Sequence, residues 1–344
     1  MSHSILLTGA SGYLGGSLLA QLSHAKLPPY NHLYALARSE SQAASIRQYN
    51  AEPLILDLSN QEEVIKTIID AKITIIYFLV DAMKSELQIP LIKALGEVRK
   101  QIGGDQDVHF LHTTGAKIFS EHAGMPIDRR ILDTDSNLYE LQKSAKAPHS
   151  IMAQAINTNN TIIETAQSHG VRSYLFIPCI VYGEGSGFGN RISIQTTAVI
   201  KAAKKLRAVY NVNPEGALYI YAVYVDLLRS ILSGENPESG RNGYYLASSG
   251  SVAWSDIYTA IARALAKRGV VDNEVVKEAD DVILAEMGEA LGCPKEFVAV
   301  QLGGTCTLRP DRASRIGWKP QYSPEHILDA ADAEVELVLK HLKA

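Results

Sequence analysis

Cysteine is scarce in this chain of 344 residues: there are three, Cys179, Cys293 and Cys306, and no two stand in CxxC spacing. An odd, scattered set argues against a disulfide framework and against a zinc site, so no metal is expected. Long apolar runs are also missing. The longest, Ile73 to Val80, is far too short to cross a bilayer, so no membrane partner is expected. Neither sign of charge dominates, since 33 Lys and Arg against 37 Asp and Glu leave a net charge of −4. Nothing here advertises a polyanion such as nucleic acid. Met1-Ser2-His3 leads into an apolar strand without a basic n-region, a hydrophobic h-region or a cleavage site, and the expected location is the cytoplasm. What remains is an ordinary globular composition, 46% hydrophobic and 20% charged, long enough for one large domain or two closely joined ones.

Through the first half, short β-like runs alternate with longer helical patterns. Strands are expected at Ser4–Thr8, His32–Ala37, Pro53–Leu56, Ile73–Leu79, Val108–His112 and Ser173–Ile177. Helices are expected at 13–24, 39–49, 61–71, 85–102 and 151–169, the last closed by Gly170. Such alternation implies an α/β, doubly wound, parallel-sheet Rossmann fold with its ligand site at the carboxyl ends of the strands. After Tyr182 the texture changes. Gly183-Glu184-Gly185-Ser186-Gly187-Phe188-Gly189 is too glycine-rich for regular structure. Helices are expected at 194–206, 226–232, 254–270, 280–291 and 324–342, with a strand-like stretch at Tyr219–Val225. The expected organisation is a cofactor domain over 1–182, its core completed by about 217–250. A smaller C-terminal substrate lobe would come from 183–216 and 251–344.

The strongest local signal is Thr8-Gly9-Ala10-Ser11-Gly12-Tyr13-Leu14-Gly15, directly after a strand and opening a helix. Gly9 permits the tight turn, Gly12 lets backbone approach a pyrophosphate, and Gly15 permits close helix–sheet packing. The helix N-terminus adds unpaired N–H groups and partial positive charge. At the end of the second strand an NAD site wants a carboxylate for the ribose 2′-hydroxyl. Here stands Leu36-Ala37-Arg38-Ser39. Arg38 suits a 2′-phosphate, and a contact of that kind favours NADP(H) by about 10- to 100-fold. The alternative is a solvated loop charge. Asp57, in Leu56-Asp57-Leu58, offers a partner for the adenine amino group or else a helix N-cap.

On these residues the chain resembles the extended short-chain dehydrogenase/reductase superfamily, the group of nucleotide-sugar epimerases and dehydratases. Asp57-Leu58, Pro178-Cys179-Ile180-Val181-Tyr182-Gly183, Val225-Asp226, Arg309-Pro310-Asp311 and Ile316-Gly317-Trp318-Lys319-Pro320 look like its later landmarks. His112-Thr113-Thr114-Gly115 and the Tyr139…Lys143 segment look closer to a largely fungal branch. The resemblance implies cofactor contacts from Gly9, Ser11, Gly12, Tyr13, Leu14, Gly15, Arg38, Ser39, Asp57, Leu58, Leu79, Val80, Thr113, Pro178 and Ile180. It makes a homodimer plausible.

It also implies a Ser/Thr, a Tyr and a Lys in catalysis, the last two one helical turn apart. The literal match is Tyr139-Glu140-Leu141-Gln142-Lys143, with Thr114 as the hydroxyl. Counting back from Gly170 and Pro178, however, places the tyrosine and lysine positions at Ile151 and Ala155, neither of which exchanges a proton. The alternative for Tyr139 and Lys143 is a surface helix or loop before Pro148. His149 and Tyr182 are further candidates, against packing roles for both. His112 reads as a core residue, and Asn157, Asn159 and Asn160 as a pocket face or a solvated one. The expected activity is an NADP(H)-dependent oxidoreductase acting on a small carbonyl or alcohol, with a relocated proton donor. Its rivals are an isomerase, epimerase or cyclase on the same scaffold, and a non-catalytic cofactor sensor. No basic cluster stands out to hold the diphosphate of a nucleotide sugar.

Overall fold

The computed structural model describes residues 2–104, 106–213, 217–219 and 224–342. Seven parallel strands form the central sheet: β1 (Ser4–Leu7), β2 (His32–Ala37), β3 (Glu52–Ile55), β4 (Ile75–Phe78), β5 (His109–Thr113), β7 (Arg172–Pro178) and β10 (Tyr244–Ala247). Their order is β10-β7-β5-β4-β1-β2-β3, so the chain reverses its direction of travel across the sheet between β1 and β4. Between these strands run α1 (Tyr13–Leu22), α2 (Glu40–Arg47), α3 (Gln61–Asp70), α4 (Gln88–Gln101), α5 (Leu138–Ser144) and α6 (Ser150–Ser168). The remaining short strands pair two by two: β6 (Ile131–Leu132) with β13 (Leu308–Arg309), β8 (Val209–Asn211) with β12 (Val276–Glu278), and β9 (Ala217–Tyr219) with β11 (Ser251–Ala253).

Every residue of β1 is buried, because both faces of the sheet are covered. Ile5 and Leu7 face Leu18, Leu19 and Leu22 of α1 and Leu227, Leu228 and Ile231 of α8 (Tyr224–Leu232). Leu6 faces Val64 and Ile68 of α3, Leu91 and Leu95 of α4, and Ile162 of α6. A separate core belongs to the C-terminal lobe. It joins α7 (Gln195–Leu206), α9 (Trp254–Lys267), α10 (Asp281–Leu291), α11 (Lys295–Leu302) and α14 (Ala331–His341) through residues such as Val199, Trp254, Tyr258, Met287, Val298 and Val335.

Several boundaries differ from the sequence expectation for physical reasons. Helix α4 begins at Gln88 rather than Ser85, because Asp81 closes a turn onto the Met83 N–H at 2.7 Å and Gln88 Nε2 donates to the Asp81 carbonyl at 2.8 Å. The stretch 324–342 is two helices, α13 (His326–Asp329) and α14, rather than one. Of the expected strand Tyr219–Val225, residues 220–223 lie outside the described residues, and Tyr224 and Val225 already belong to α8. The run 308–318 leaves the lobe: α12 (Arg312–Arg315) puts Ala313 in the sheet's own core, and the buried Asp133 accepts from the backbone of Asp311 and Arg312, both at 2.9 Å. Among the described residues, no helix is long and apolar enough to cross a membrane.

Candidate active site

The site begins at the switch point. Thr8 ties the two diverging strands together, its N–H donating to the Tyr77 carbonyl at 2.9 Å and its Oγ1 accepting from the Leu79 N–H at 3.1 Å. Gly9 then turns with φ of 70°, a left-handed conformation open to glycine, and a Cβ there would lie 2.9 Å from the Leu79 carbonyl oxygen. A Cβ on Gly15 would lie 2.2 Å from the Gly9 carbonyl oxygen. Helix α1 therefore packs against the turn that precedes it, and its N-terminus has Gly12 as N-cap with no side chain closing it. An uncapped helix start under a glycine cradle fits the pyrophosphate of a dinucleotide.

The second glycine-rich stretch lies on the first. The Asn190 N–H donates to the Ser11 carbonyl at 2.9 Å, and a Cβ on Gly189 would lie 2.0 Å from that same oxygen. Gly187 meets Gly16 backbone to backbone, and Tyr13 Oη donates to the Gly183 carbonyl at 2.8 Å. Gly185, Gly187 and Gly189 are thus confined by contact with Tyr13, Gly16 and Ser11 of the phosphate loop and the start of α1. The buried Glu334 of α14 fixes the start of this stretch, accepting from the Gly183 N–H at 2.7 Å, and ties it to α7 by accepting from Thr196 Oγ1 at 2.5 Å.

Toward the adenosine end, Arg38 is exposed at the end of β2 and its guanidinium has no ion-pair partner among the described residues. Its backbone N–H donates to Gln42 Oε1 at 2.9 Å, and Ser39 caps α2, accepting from the Gln42 N–H at 3.3 Å. Asp57 bonds the Ser59 N–H at 2.9 Å, which holds its carboxyl below the usual range; the N-cap of α3 is Asn60. Val80 is exposed, whereas Leu58 turns into the core.

Beyond the carboxyl ends of β5 and β7 lies a cavity of about 680 Å³, lined by Gly12–Gly15, Leu79, Met83, Thr114–Lys117, Ile151, Met152, Pro178 and Cys179, and closed from the lobe by Ser193, Ile194, Phe297, Val300 and Gln301. Thr114 and Pro178 thus both line the cavity. Thr113 is buried at the end of β5, and Ile180 belongs to the core of the lobe; neither side chain lines the cavity. Ile151 lines the cavity in the first turn of α6, with Ala155 buried one turn further on.

The pair Tyr139 and Lys143 requires a correction. Both sit on α5 and bond Glu164, Tyr139 Oη donating at 2.6 Å and Lys143 Nζ at 2.6 Å, with the Arg241 guanidinium over the Tyr139 ring. Glu164 follows Ile151 on the same helix by thirteen positions, about 20 Å along the axis. Neither residue lines the cavity, and the YxxxK match describes an ion-pair network on the far part of α6. His149 stands against the His122 ring, with centroids 5.4 Å apart, rather than in the cavity. Tyr182 bonds His326 Nδ1 at 2.7 Å in a separate pocket. His112 is fully buried, and burial depresses its imidazole to about 3, which keeps it neutral. Asn159 donates to Thr114 Oγ1 at 3.4 Å, and Asn160 is buried as well.

Lys117 is the functional candidate that sequence reasoning missed. It lies on the 3-10 turn Ala116–Phe119, three residues beyond Thr114, and lines the cavity. Its Nζ donates to the Gly303 carbonyl at 2.6 Å and lies 5.4 Å from the centre of the Trp254 ring. Burial pushes this ammonium down to about 7, with only partial compensation from the Glu121 carboxylate. A charged residue between buried Ala116 and Ile118, directly after a sheet strand, was the available signal. Among the described residues, no three His, Cys, Asp or Glu side chains are grouped to hold a metal ion.

The model of the NAD dependent epimerase/dehydratase family matches residues 5–216. The chain belongs to this family. It is accordingly an enzyme of a nicotinamide-dependent class. Among solved structures, it is similar to UDP-glucose 4-epimerase from Thermotoga maritima, determined with UDP-glucose, at 13% identity over 99% of this chain and 100% of that one, with a TM-score of 0.61. UDP-glucuronic acid 4-epimerase from Bacillus cereus, determined with UDP-glucuronic acid and NAD, is 14% identical over 98% of this chain and 99% of that one, with a TM-score of 0.59. The PbgP3 protein from Burkholderia pseudomallei is 11% identical over 98% of each chain, with a TM-score of 0.65. At these identities the likeness is one of fold, and it extends through the lobe. No curated protein sequence matches the chain.

Proposed function

We propose that this family member is an NADP(H)-dependent oxidoreductase that reduces a small, largely apolar carbonyl compound. The observation that carries this reading is the cavity wall. Met83, Ile151, Met152, Val181, Ile194, Phe297 and Val300 are apolar, and Lys117 is the one cation among the described lining residues. A diphosphate carries two or more negative charges into its site and is held by several guanidinium or ammonium groups. A wall with one lysine suits a neutral substrate instead. Thr114 would donate to the substrate oxygen; it lines the cavity, and its Oγ1 accepts from Asn159 and keeps its own proton. The Gly9–Gly15 cradle and the uncapped α1 would hold the pyrophosphate, and Arg38 the 2′-phosphate. When bound, the reduced nicotinamide supplies a hydride.

The test is titration with NADPH and NADH followed by turnover on a panel of small carbonyl compounds and, in parallel, on UDP-sugars. The reading requires tighter binding of NADPH by at least about tenfold and oxidation of NADPH by a carbonyl. Conversion of a UDP-sugar without net change in the cofactor would replace it with the epimerase reading.

A further inference from the structure

Carbonyl reduction needs a proton at the substrate oxygen, and the helical position that holds a tyrosine in the superfamily pattern is Ile151. We propose that Lys117 replaces that tyrosine as the proton donor. This rests on the reductase reading above.

The groups that can donate in the cavity are few, and the Tyr13 hydroxyl is already given to the Gly183 carbonyl at 2.8 Å. Cys179 and Cys293 line it, but burial raises both thiols above their usual range, the first strongly. Thr114 has a hydroxyl far too weak an acid to give up its proton at neutral pH. Lys117 is held in place from the lobe side, where Nζ donates to the Gly303 carbonyl at 2.6 Å and rests on the Trp254 ring. An ammonium has three N–H donors, so one contact with Gly303 leaves others for a substrate oxygen. The charged or titratable groups around it are Glu121 and His122 on the next 3-10 turn, Glu121–Ala123, and Cys306 facing it. Glu121 is itself committed, accepting from the Thr305 N–H at 2.7 Å and from Asn213 Nδ2 at 3.3 Å. The attraction of this carboxylate only partly offsets the cost of burial, and the ammonium loses its proton at about 7 instead of at the ordinary lysine value of 10.5. An acid of that strength is matched to proton transfer near neutral pH.

The π bond of the carbonyl breaks, and a new C–H bond forms at carbon with the hydride from a reduced nicotinamide dinucleotide, which is oxidised by two electrons. The oxygen takes the Nζ proton. The N–H electron pair stays on a neutral amine, which recovers its proton from water entering the cavity.

The competing role is a tether. Three successive carbonyls at the end of α11 are held by side chains: Leu302 by Tyr258 Oη at 2.7 Å, Gly303 by Lys117, and Gly304 by Trp254 Nε1 at 3.1 Å. Lys117→Arg separates the two roles, because arginine keeps the charge and the donor but does not release a proton. Lys117→Met removes both functions at similar length. In the wild type, carbonyl reduction should be flat at acid pH and fall tenfold per pH unit above about 7. Both variants should bind NADPH within about twofold of wild type and lose about 10²- to 10⁴-fold in kcat, with the alkaline limb gone. A readout independent of turnover is the ¹³C signal of reductively methylated Lys117, assigned by its loss in Lys117→Arg, which should titrate near 7. Wild-type kcat in Lys117→Arg, or titration near 10.5, would overturn the assignment while leaving the reductase intact. A wild type that binds NADPH and reduces no carbonyl would overturn the reductase reading and the proton donor together.

Discussion

Two short motifs in the first half of the chain match their patterns equally literally and end in different places. Gly9–Gly15 lies at the switch point of the sheet and borders the cavity; Tyr139 and Lys143 lie on α5, held by Glu164 on the far part of α6. What separates them is context. The glycine motif is tied to a strand end and a helix start within a few residues, so its local sequence builds its own geometry. A tyrosine four residues before a lysine builds nothing by itself, because its role depends on which helix carries it and which way that helix faces.

Four substitutions sharpen this contrast. Gly15→Val should have the largest effect: its Cβ would lie 2.2 Å from the Gly9 carbonyl oxygen, so NADPH affinity should fall by more than about 100-fold in a fluorescence titration. Wild-type affinity would show that the loop is not the cradle. Ala155→Lys tests whether the missing pair can simply be restored. Ala155 is 2% exposed, and a cation there without a partner should lower stability by about 3 kcal/mol in denaturant unfolding. An unchanged midpoint would mean that α6 tolerates the usual lysine. Arg38→Ala should weaken NADPH binding by about 10- to 100-fold and leave NADH within twofold. An equal loss for both cofactors would remove Arg38 from the 2′-phosphate. Smallest is Tyr139→Phe, which deletes the hydrogen bond to Glu164 and the long one from Lys143 and should cost about 1 kcal/mol with kcat unchanged. A loss of kcat beyond tenfold would return Tyr139 to the catalytic machinery.

Much of the scaffold was legible because it is written at short range. The alternation of apolar strands with amphipathic helices marked the first six strands of the sheet, and Gly170, with φ of 68°, closes α6 as its C-cap position requires. The seventh strand, Tyr244–Ala247, was foreseen only as a region that completes the core. Helix α11 was not foreseen, since its apolar residues follow no clean helical stripe and its packing partners lie in α7 and α10. Counting along the sequence points to Ile151 and Ala155, and the structure puts Ile151 on the cavity wall with Ala155 buried one turn further on. That counting did not point to Lys117.

The sequence by itself therefore determined the cofactor-binding scaffold, because turn chemistry and hydrophobic period act over a few residues. Only the tertiary structure decided which side chains share the cavity. Lys117 is held by Gly303, 186 residues away, and by Trp254, and burial among these distant segments makes its ammonium more acidic. Gly189 acquires its necessity from Ser11. A lysine's acidity and a glycine's indispensability are set by what surrounds them, and those surroundings exist only once distant segments have packed.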